Sequence, residues 1–575
     1  MDLHYQVDEK PPPGLTLGLG LQLAVISVTA PILIPTVVMR AAGAAEAYLN
    51  WAVFAAIAIS GVTTVMQTIR YGRVGAGNVL VMGSSGAFIA ICITALTDSG
   101  PAVLATLVVA AALFQLLIAE KLALLRKILT PAVSGTVIML IPVSVMPVVF
   151  DLMTVAEPGI SATGSLLSAG VTFVAMAAIA LRGSPTLRLW GPVVGIVTGS
   201  LVAAYFGLYD IGRVAEAAWI GPPSAVWPGL DLSFGPGFWA LLPAFLLVAA
   251  IGAIRTISSA VAVQRVSWRR PRAADYRSVQ GAVTVDGLGN LLCGFAGTVP
   301  NTAYSVSVSM TELTGVGART IGTATGAILV AMAFLPKVLA VVLAIPGPVF
   351  AAYLAVLLAM LFIVGMRMVI LEGGGPQYVL IAGIAFWVGI GFESGAIFPQ
   401  VFTDFAGGLL QNGMTAGGIT VILLTLFLSL TEPRRGRIRI DYKTSTHCVV
   451  RQYLDVFAGA GGWDDTMASR LEEVVRETMQ TLFPDGAAEH KSPRLVLSAR
   501  KEGAEAVLNL VVSGAERNLE DDFMSLGDQP GDSASAAPLR DEADGSLRRL
   551  RELASSVRHQ QFHDTDILTI RVDPT

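Results

Sequence analysis

The sequence predicts an all-α polytopic membrane domain followed by a soluble α/β domain, and three observations predict it. Of 575 residues, 54% are hydrophobic and 14% charged, whereas a soluble globular chain carries roughly a quarter charged residues. Mean hydropathy is +0.67. The apolar residues gather into long runs between Leu15 and Thr431, and the chain beyond turns charged and holds no run of that kind.

A spanning helix needs roughly 20 mostly apolar residues, and about fourteen segments approach that measure. They lie at 15–39, 47–68, 80–96, 101–119, 128–147, 164–182, 188–207, 237–262, 281–297, 304–315, 320–344, 347–370, 376–396 and 416–431. Lys and Arg in short loops mark the cytoplasmic side. Arg70 and Arg73 follow the second run, Lys121, Arg126 and Lys127 the fourth, Arg182 and Arg188 the sixth. Arg265, Arg269, Arg270, Arg272 and Arg277 follow the eighth, and Arg319, Arg367, Arg434, Arg435, Arg437 and Arg439 continue the series. The alternate loops hold little besides Arg40, Arg213 and Lys337. An inner-membrane protein with an even number of spans and both termini cytoplasmic is expected: a short N-terminal tail at 1–14, a membrane domain at 15–431, and a cytoplasmic domain at 432–575.

Several classes fall away. Net charge is −4 and the basic residues form no stripe interleaved with aromatics, so nucleic acid is excluded as a partner. Cys92, Cys293 and Cys448 lie far apart, which predicts neither a disulfide framework nor a zinc site. The polar, acidic opening MDLHYQVDEKPPPG predicts no cleaved signal. No Ser/His/Asp set, metal cluster or phosphate loop supports an enzyme, and no cofactor is expected.

The runs divide evenly into two halves of about seven, as inverted repeats require. The third (80–96) and tenth (304–315) are the shortened, Gly/Ser-rich members and occupy equivalent places in the halves. Such interrupted helices mark a binding site halfway across the bilayer, where free amides present partial positive charge. Close helix packing through small residues is the alternative reading.

At these segments the chain resembles the nucleobase-ascorbate transporter family, which includes bacterial uracil and xanthine permeases. Pro300-Asn301-Thr302-Ala303-Tyr304-Ser305, then Leu313-Thr314-Gly315-Val316 and Arg319, is similar to its signature region. Gly20-Leu21-Gln22 with Pro35, Gly83-Ser84-Ser85, Asp286-Gly287-Leu288-Gly289, Ile345-Pro346-Gly347-Pro348-Val349 and Gly365-Met366-Arg367 resemble further family segments in order. The resemblance implies a core domain (helices one to four and eight to eleven), a gate domain (the others), a substrate held between them, movement of core against gate, a homodimer, and often coupling to protons or sodium. It places Arg255, Ser259, Ala30, Ser85, Gly86, Tyr304, Ser305, Val306 and Ser307 around the small-molecule solute.

The pocket departs from that pattern. Arg255 stands where the family's eighth-helix glutamate is expected, Val306 and Ser307 where its tenth-segment amide or acid pair falls, Leu23 at the first-helix histidine position, and Gly86 at the stacking aromatic. A carboxylate accepts hydrogen bonds, whereas a guanidinium has five donors and no acceptor. Gly86 forgoes roughly 1 kcal/mol or more of base stacking.

A central arginine in a spanning helix is costly and usually faces a cavity. Arg255 therefore predicts either an anion-accepting site or an internal ion pair with Glu312 on the neighbouring short segment. Without the family acid, Asp286 or Glu312 would serve as the coupling group. Asp286, in a Gly-rich stretch, has the alternative role of tying helix ends together.

Residues 432–575 suffice for an independent domain. The pattern predicts a helix at 465–482, strands at 494–499 and 506–512, a polar loop at 518–538, a helix at 547–559 and a final strand at 567–572. This order is weakly similar to the ATP-binding fold of anti-sigma-factor and histidine kinases. The first-helix stretch Arg470–Thr478 lacks their metal-binding Asn, and Gly527-Asp528-Gln529-Pro530-Gly531 is a poor match to their glycine loop. A regulatory or interaction module is expected. Three readings follow: a transporter of a nucleobase-like or other small polar solute, an anion transporter built on Arg255, and a non-transporting membrane sensor signalling through the tail.

Overall fold

A computed structural model describes the chain except for residues 1–2, 121–129, 155–161, 224–225, 271, 373–374, 398–412, 432–436, 442–445, 483–493, 503–504, 513–517, 526–541, 564 and 575. Lys121, Arg126, Lys127, Arg434, Arg435 and the stretch 527–531 lie outside the described residues. The chain divides into two units, Met1–Ser267 with Ser278–Ser429, and Trp268–Arg277 with Leu430–Thr575.

The first unit is helical. Its elements are α1 (Pro13–Ala41), α2 (Glu46–Thr68), β1 (Met82–Ser84), α3 (Ile89–Ser99), α4 (Pro101–Glu120), α5 (Pro131–Thr154), α6 (Ala162–Arg182), α7 (Pro185–Tyr205) and α8 (Ile211–Glu216). There follow α9 (Pro236–Val266), α10 (Tyr276–Ala296), β2 (Asn301–Ala303), α11 (Val306–Thr314), α12 (Arg319–Ala333), α13 (Pro336–Leu343), α14 (Gly347–Glu372), α15 (Pro376–Glu393) and α16 (Gly413–Thr431). Among the described residues, 8 helices are long and apolar enough to cross a membrane, or 9 with α12 and α13 counted as one bent span. That pair bends by 81°, so the run expected at 320–344 is two helices. Pro336, at the first position of α13, has no N–H to continue α12, and Arg40 Nη2 donates to Leu343 O at 2.6 Å, satisfying the end of α13.

Helix ends leave carbonyls unpaired, and away from water these need donors. Around the end of α10 three aromatic side chains supply them: Tyr48 Oη to Gly297 O at 2.7 Å, Trp51 Nε1 to Ala296 O at 2.8 Å, and Trp227 Nε1 to Phe295 O at 2.6 Å. The N-terminal segment, expected as a free tail, is bonded down. His4 N donates to Gly315 O at 2.7 Å, Gly317 N to Tyr5 O at 2.8 Å, and Arg319 pairs with Asp8 at 2.7 Å.

The second unit contains β3 (Arg437–Asp441), α17 (Thr446–Gly461), α18 (Asp465–Leu482), β4 (Arg494–Glu502), β5 (Glu505–Val512), α19 (Leu519–Ser525), α20 (Glu542–Leu553), β6 (Ser556–Gln561) and β7 (Asp566–Val572). The strands form an antiparallel sheet in the order β3-β4-β5-β7-β6. Alternate residues Leu495, Leu497, Leu508, Leu510, Leu568 and Ile570 pack on Leu454, Leu471, Val474 and Leu550 of the helices, as period-2 strands against amphipathic helices require. The helix expected at 547–559 ends at Leu553, because Val557 and His559 turn inward at strand spacing while Arg558 stays exposed. Residues 519–525 of the expected polar loop are helical.

His559 is the buried polar group of β6. Its Nδ1 accepts from Leu519 N at 3.0 Å. Burial, then the positive charge of Arg277, lowers its pKa to about 4. The unfolded chain binds a proton near pH 6.5 that the fold refuses, so stability falls as pH drops from 6.5 towards 4, by about 3 kcal/mol in all. Hydrogen exchange of β6 and β7 amides in the full chain, corrected for intrinsic rates, should show that loss between pH 7.5 and 5. His559→Asn, which keeps an acceptor but does not titrate, should flatten it.

Candidate functional site

The two Gly/Ser-rich segments cross. Gly83, Ser84, Ser85 and Gly86 are weak helix formers, and Pro300 disfavours helix in the residue before it. Both segments are therefore extended where they meet. Met82 pairs with Ala303, Gly83 with Thr302 and Ser84 with Asn301, antiparallel. Tyr304 N to Val81 O and Ser85 N to Pro300 O, each 2.8 Å, close the two ends. Tyr304 Oη donates to Ser84 O at 2.7 Å. A Cβ on Gly83 would lie 2.5 Å from the Tyr304 ring, so a side chain there would have to push that ring aside.

From this crossing the chain leaves as a helical turn at Gly86–Phe88 continued by α3, and as α11. Neither helix start carries a side-chain cap, so their first amides stay open. Ser84 Oγ, Ser85 Oγ, Asn301 Oδ1 and Thr302 Oγ1 are buried without partners, a local excess of unsatisfied polar atoms of the kind that calls for a functional explanation. Among the described residues no group of three His, Cys, Asp or Glu could hold a metal ion.

Helix α9 packs on β2, on α11 and on the Gly86–Phe88 turn. Its Arg255 is half-buried and makes no hydrogen bond or ion pair with a described residue. The titratable groups acting on its charge are Tyr304 and Asp286. Glu312 is exposed on α11, so the expected Arg255–Glu312 ion pair does not form. The two lie on different helices, and the sequence could not tell which way the acid faces.

A buried polar chain replaces that pair. Thr256 Oγ1 donates to Asp286 Oδ2 at 2.6 Å and Gln115 Nε2 to the same oxygen at 2.7 Å. Gln115 Oε1 accepts from Asn290 Nδ2 at 2.7 Å, and Asn290 Oδ1 accepts from Asn301 N at 2.6 Å. Asn301 Nδ2 reaches Thr63 Oγ1 at 3.2 Å. Asp286 is fully buried and its Oδ1 has no partner. The acid on α10 is thus joined to the strand crossing through α4.

The other expected residues divide. Ser85 is buried at the crossing, Ser259 is buried one turn from Arg255, and Ala30 is partly buried on α1. Gly86 has room for a side chain: a Cβ would meet Leu357 of α14 at 3.7 Å and Ile34 at 3.9 Å, ordinary contacts. Ser305 is exposed at the start of α11. Two candidates turn away from a polar site. Val306 packs into an apolar cluster with Leu23, Val81 and Met310, and the Ser307 hydroxyl donates to Tyr304 O at 3.1 Å. Sequence reasoning missed Gln115, Thr256, Asn290 and Leu357. The polar three carried one signal, an uncharged hydrogen-bonding side chain inside an apolar run.

Residues 14–396 match the model of a family described as Permease family, Xan_ur_permease. Xanthine permease XanP of Escherichia coli (strain K12) is 27% identical over 441 residues, covering 74% of this chain and 94% of that protein. Uric acid permease PucK of Bacillus subtilis (strain 168) is 26% identical over 434 residues, covering 73% and 97%. Among solved structures, the transmembrane domain of a cyanobacterium bicarbonate transporter, BicA, aligns with a TM-score of 0.42 at 17% identity, covering 74% of this chain and 99% of that one.

Two substitutions probe the geometry. Gln115→Leu removes one of the two donors to Asp286 and leaves the amide of Asn290 without its acceptor, at about 1–3 kcal/mol for a buried unsatisfied group. The purified protein should melt lower and transport more slowly; unchanged melting and uptake would show the chain to be idle. Gly83→Ala should displace Tyr304 and abolish uptake, and adding Tyr304→Ala should restore melting temperature, which a clash elsewhere would not allow.

Proposed function

Because this chain belongs to the Xan_ur_permease family it is a membrane permease, and we propose that its solute is a small oxygen-rich acceptor, nucleobase-like and anionic, held by Arg255 beside the strand crossing. The observation carrying this is the half-buried guanidinium, paired with no described residue, on the helix that packs against β2 and α11. Five donors with no acceptor suit carbonyl or anionic oxygens. The relatives named for xanthine and uric acid fit that chemistry, since both molecules are oxopurines and uric acid is an anion at neutral pH. An inorganic anion is the second reading, favoured by Gly86, where no ring stacks.

Movement is by alternating access across about fourteen spans in two inverted repeats. Two reciprocal contacts support the repeat. Strands β1 and β2 occupy equivalent places and pair with each other. Helices α5 and α14 likewise meet through Gly135 and Gly365, where a Cβ on either would lie 2.6 Å from the other's carbonyl oxygen. In this reading α1 to α4 and α9 to α12 form the core, and α5 to α7 with α14 to α16 the gate. Leu357 faces Gly86 across their boundary.

Coupling belongs to Asp286. Its unpartnered Oδ1 gives a proton a place, and the Gln115–Asn290 chain relays a change there to Asn301. Inner-membrane residence, cytoplasmic termini and a homodimer complete the reading. The exposed apolar residues Leu380, Ile384 and Trp387 of α15 suit lipid or a second copy.

Uptake into proteoliposomes of urate, xanthine, uracil, bicarbonate and sulfate decides among these solutes, and no uptake of any would favour a sensor. Arg255→Gln should slow uptake of the accepted solute about tenfold to a hundredfold, the loss of one charge-assisted interaction of 1.5–3 kcal/mol. A substrate range unchanged in Arg255→Glu would refute recognition by the guanidinium.

A further inference from the structure

The second unit is discontinuous in sequence. It includes Trp268–Arg277, which joins α9, carrying Arg255 and Thr256, to α10, carrying Asp286 and Asn290. This linker is bonded into the tail's fold at one corner. Ala273 N donates to Asp521 Oδ1 of α19 at 2.5 Å, and Gln560 Nε2 of β6 donates to Tyr276 Oη at 2.8 Å. The Tyr276 ring packs on Phe562 with centroids 5.1 Å apart. The charge of Arg277 acts on the buried His559, whose main-chain N–H donates to Glu520 Oε2 at 2.9 Å. Ala274 is buried.

Ten residues of linker would need none of this to connect two helices. A backbone amide, a phenol and an aromatic face are all committed, and two of these contacts fall on Tyr276, the first residue of the helix that carries Asp286. We propose that the tail is a regulatory module that sets the rate of transport through its hold on the α9–α10 linker. Any event that alters the α19–β6 corner then alters the freedom of the two helices whose side chains build the polar chain.

The test uses the full chain in proteoliposomes and in detergent. Asp521→Ala removes the acceptor for Ala273 N, while Asp521→Asn keeps an oxygen there. Hydrogen exchange of residues 273–282 should speed at least threefold in Asp521→Ala and stay at parent level in Asp521→Asn, with β4 and β5 amides protected in both to show that the tail is folded. The maximal rate of urate or xanthine uptake should change at least threefold in Asp521→Ala, with KM within twofold of the parent, and return in Asp521→Asn. Tyr276→Phe, which loses the Gln560 bond and keeps the ring against Phe562, should shift the rate in the same direction. Faster exchange in the linker with an unchanged maximal rate would overturn the proposal, as would linker exchange that none of the variants moves. If neither purine is carried, the same comparison of maximal rates uses whichever of uracil, bicarbonate or sulfate the parent takes up.

Discussion

Inside a bilayer every backbone N–H and C=O must find a partner within the protein, and this chain breaks two helices under that constraint. It succeeds because the breaks satisfy each other. Met82–Ser84 and Asn301–Ala303 exchange ladder bonds, and Val81 and Pro300 supply the flanking carbonyls. Neither segment could be extended alone. Two open helix starts brought to one place follow from that pairing, and so does the placement of Tyr304 against Gly83.

The same economy governs the charges. A buried carboxylate beside a guanidinium would ordinarily be neutralised by it, yet Asp286 Oδ2 takes two neutral donors, Thr256 and Gln115, and no ion pair with Arg255 forms. Two uncharged hydrogen bonds hold the acid in place without consuming the arginine's donors. The guanidinium is left available because Thr256, its immediate neighbour in the chain, does the work that Arg255 would otherwise do. Adjacent residues of one helix thus have different partners: Thr256 bonds the acid, and Arg255 does not.

How much was legible depended on whether backbone or side-chain geometry made the feature. The interrupted segments were readable, since glycine and serine cluster there inside apolar runs, but that the two would pair as strands was not, because pairing depends on backbone geometry that composition does not show. Helix α18 was readable to its ends, because its amphipathic period is strong and Asp465 opens it. The polar chain was not: Gln115 and Asn290 are single polar residues in apolar helices, and nothing in one dimension says that they touch. Glu312 was paired with Arg255 on proximity in the chain order alone, and the orientation of a nine-residue helix undid that. Strand β6 was read as helix because its inward positions, Val557 and His559, include a polar residue whose burial depends on Leu519, forty positions away.

These two kinds of feature also explain how a permease scaffold can carry an unusual pocket. The crossing is held by main-chain bonds, which any side chain tolerates except where atoms meet directly, as at Gly83. Gly86, Val306 and Ser307 flank that ladder without contributing to it: Gly86 has room for a Cβ beside Leu357 and Ile34, Val306 lies in an apolar cluster, and Ser307 bonds back to its own turn. Aromatic, amide and acid groups can be exchanged at such positions with the broken helices still in place. Arg255 belongs to this second set: its side chain gives no bond to the ladder, and the crossing does not depend on its charge.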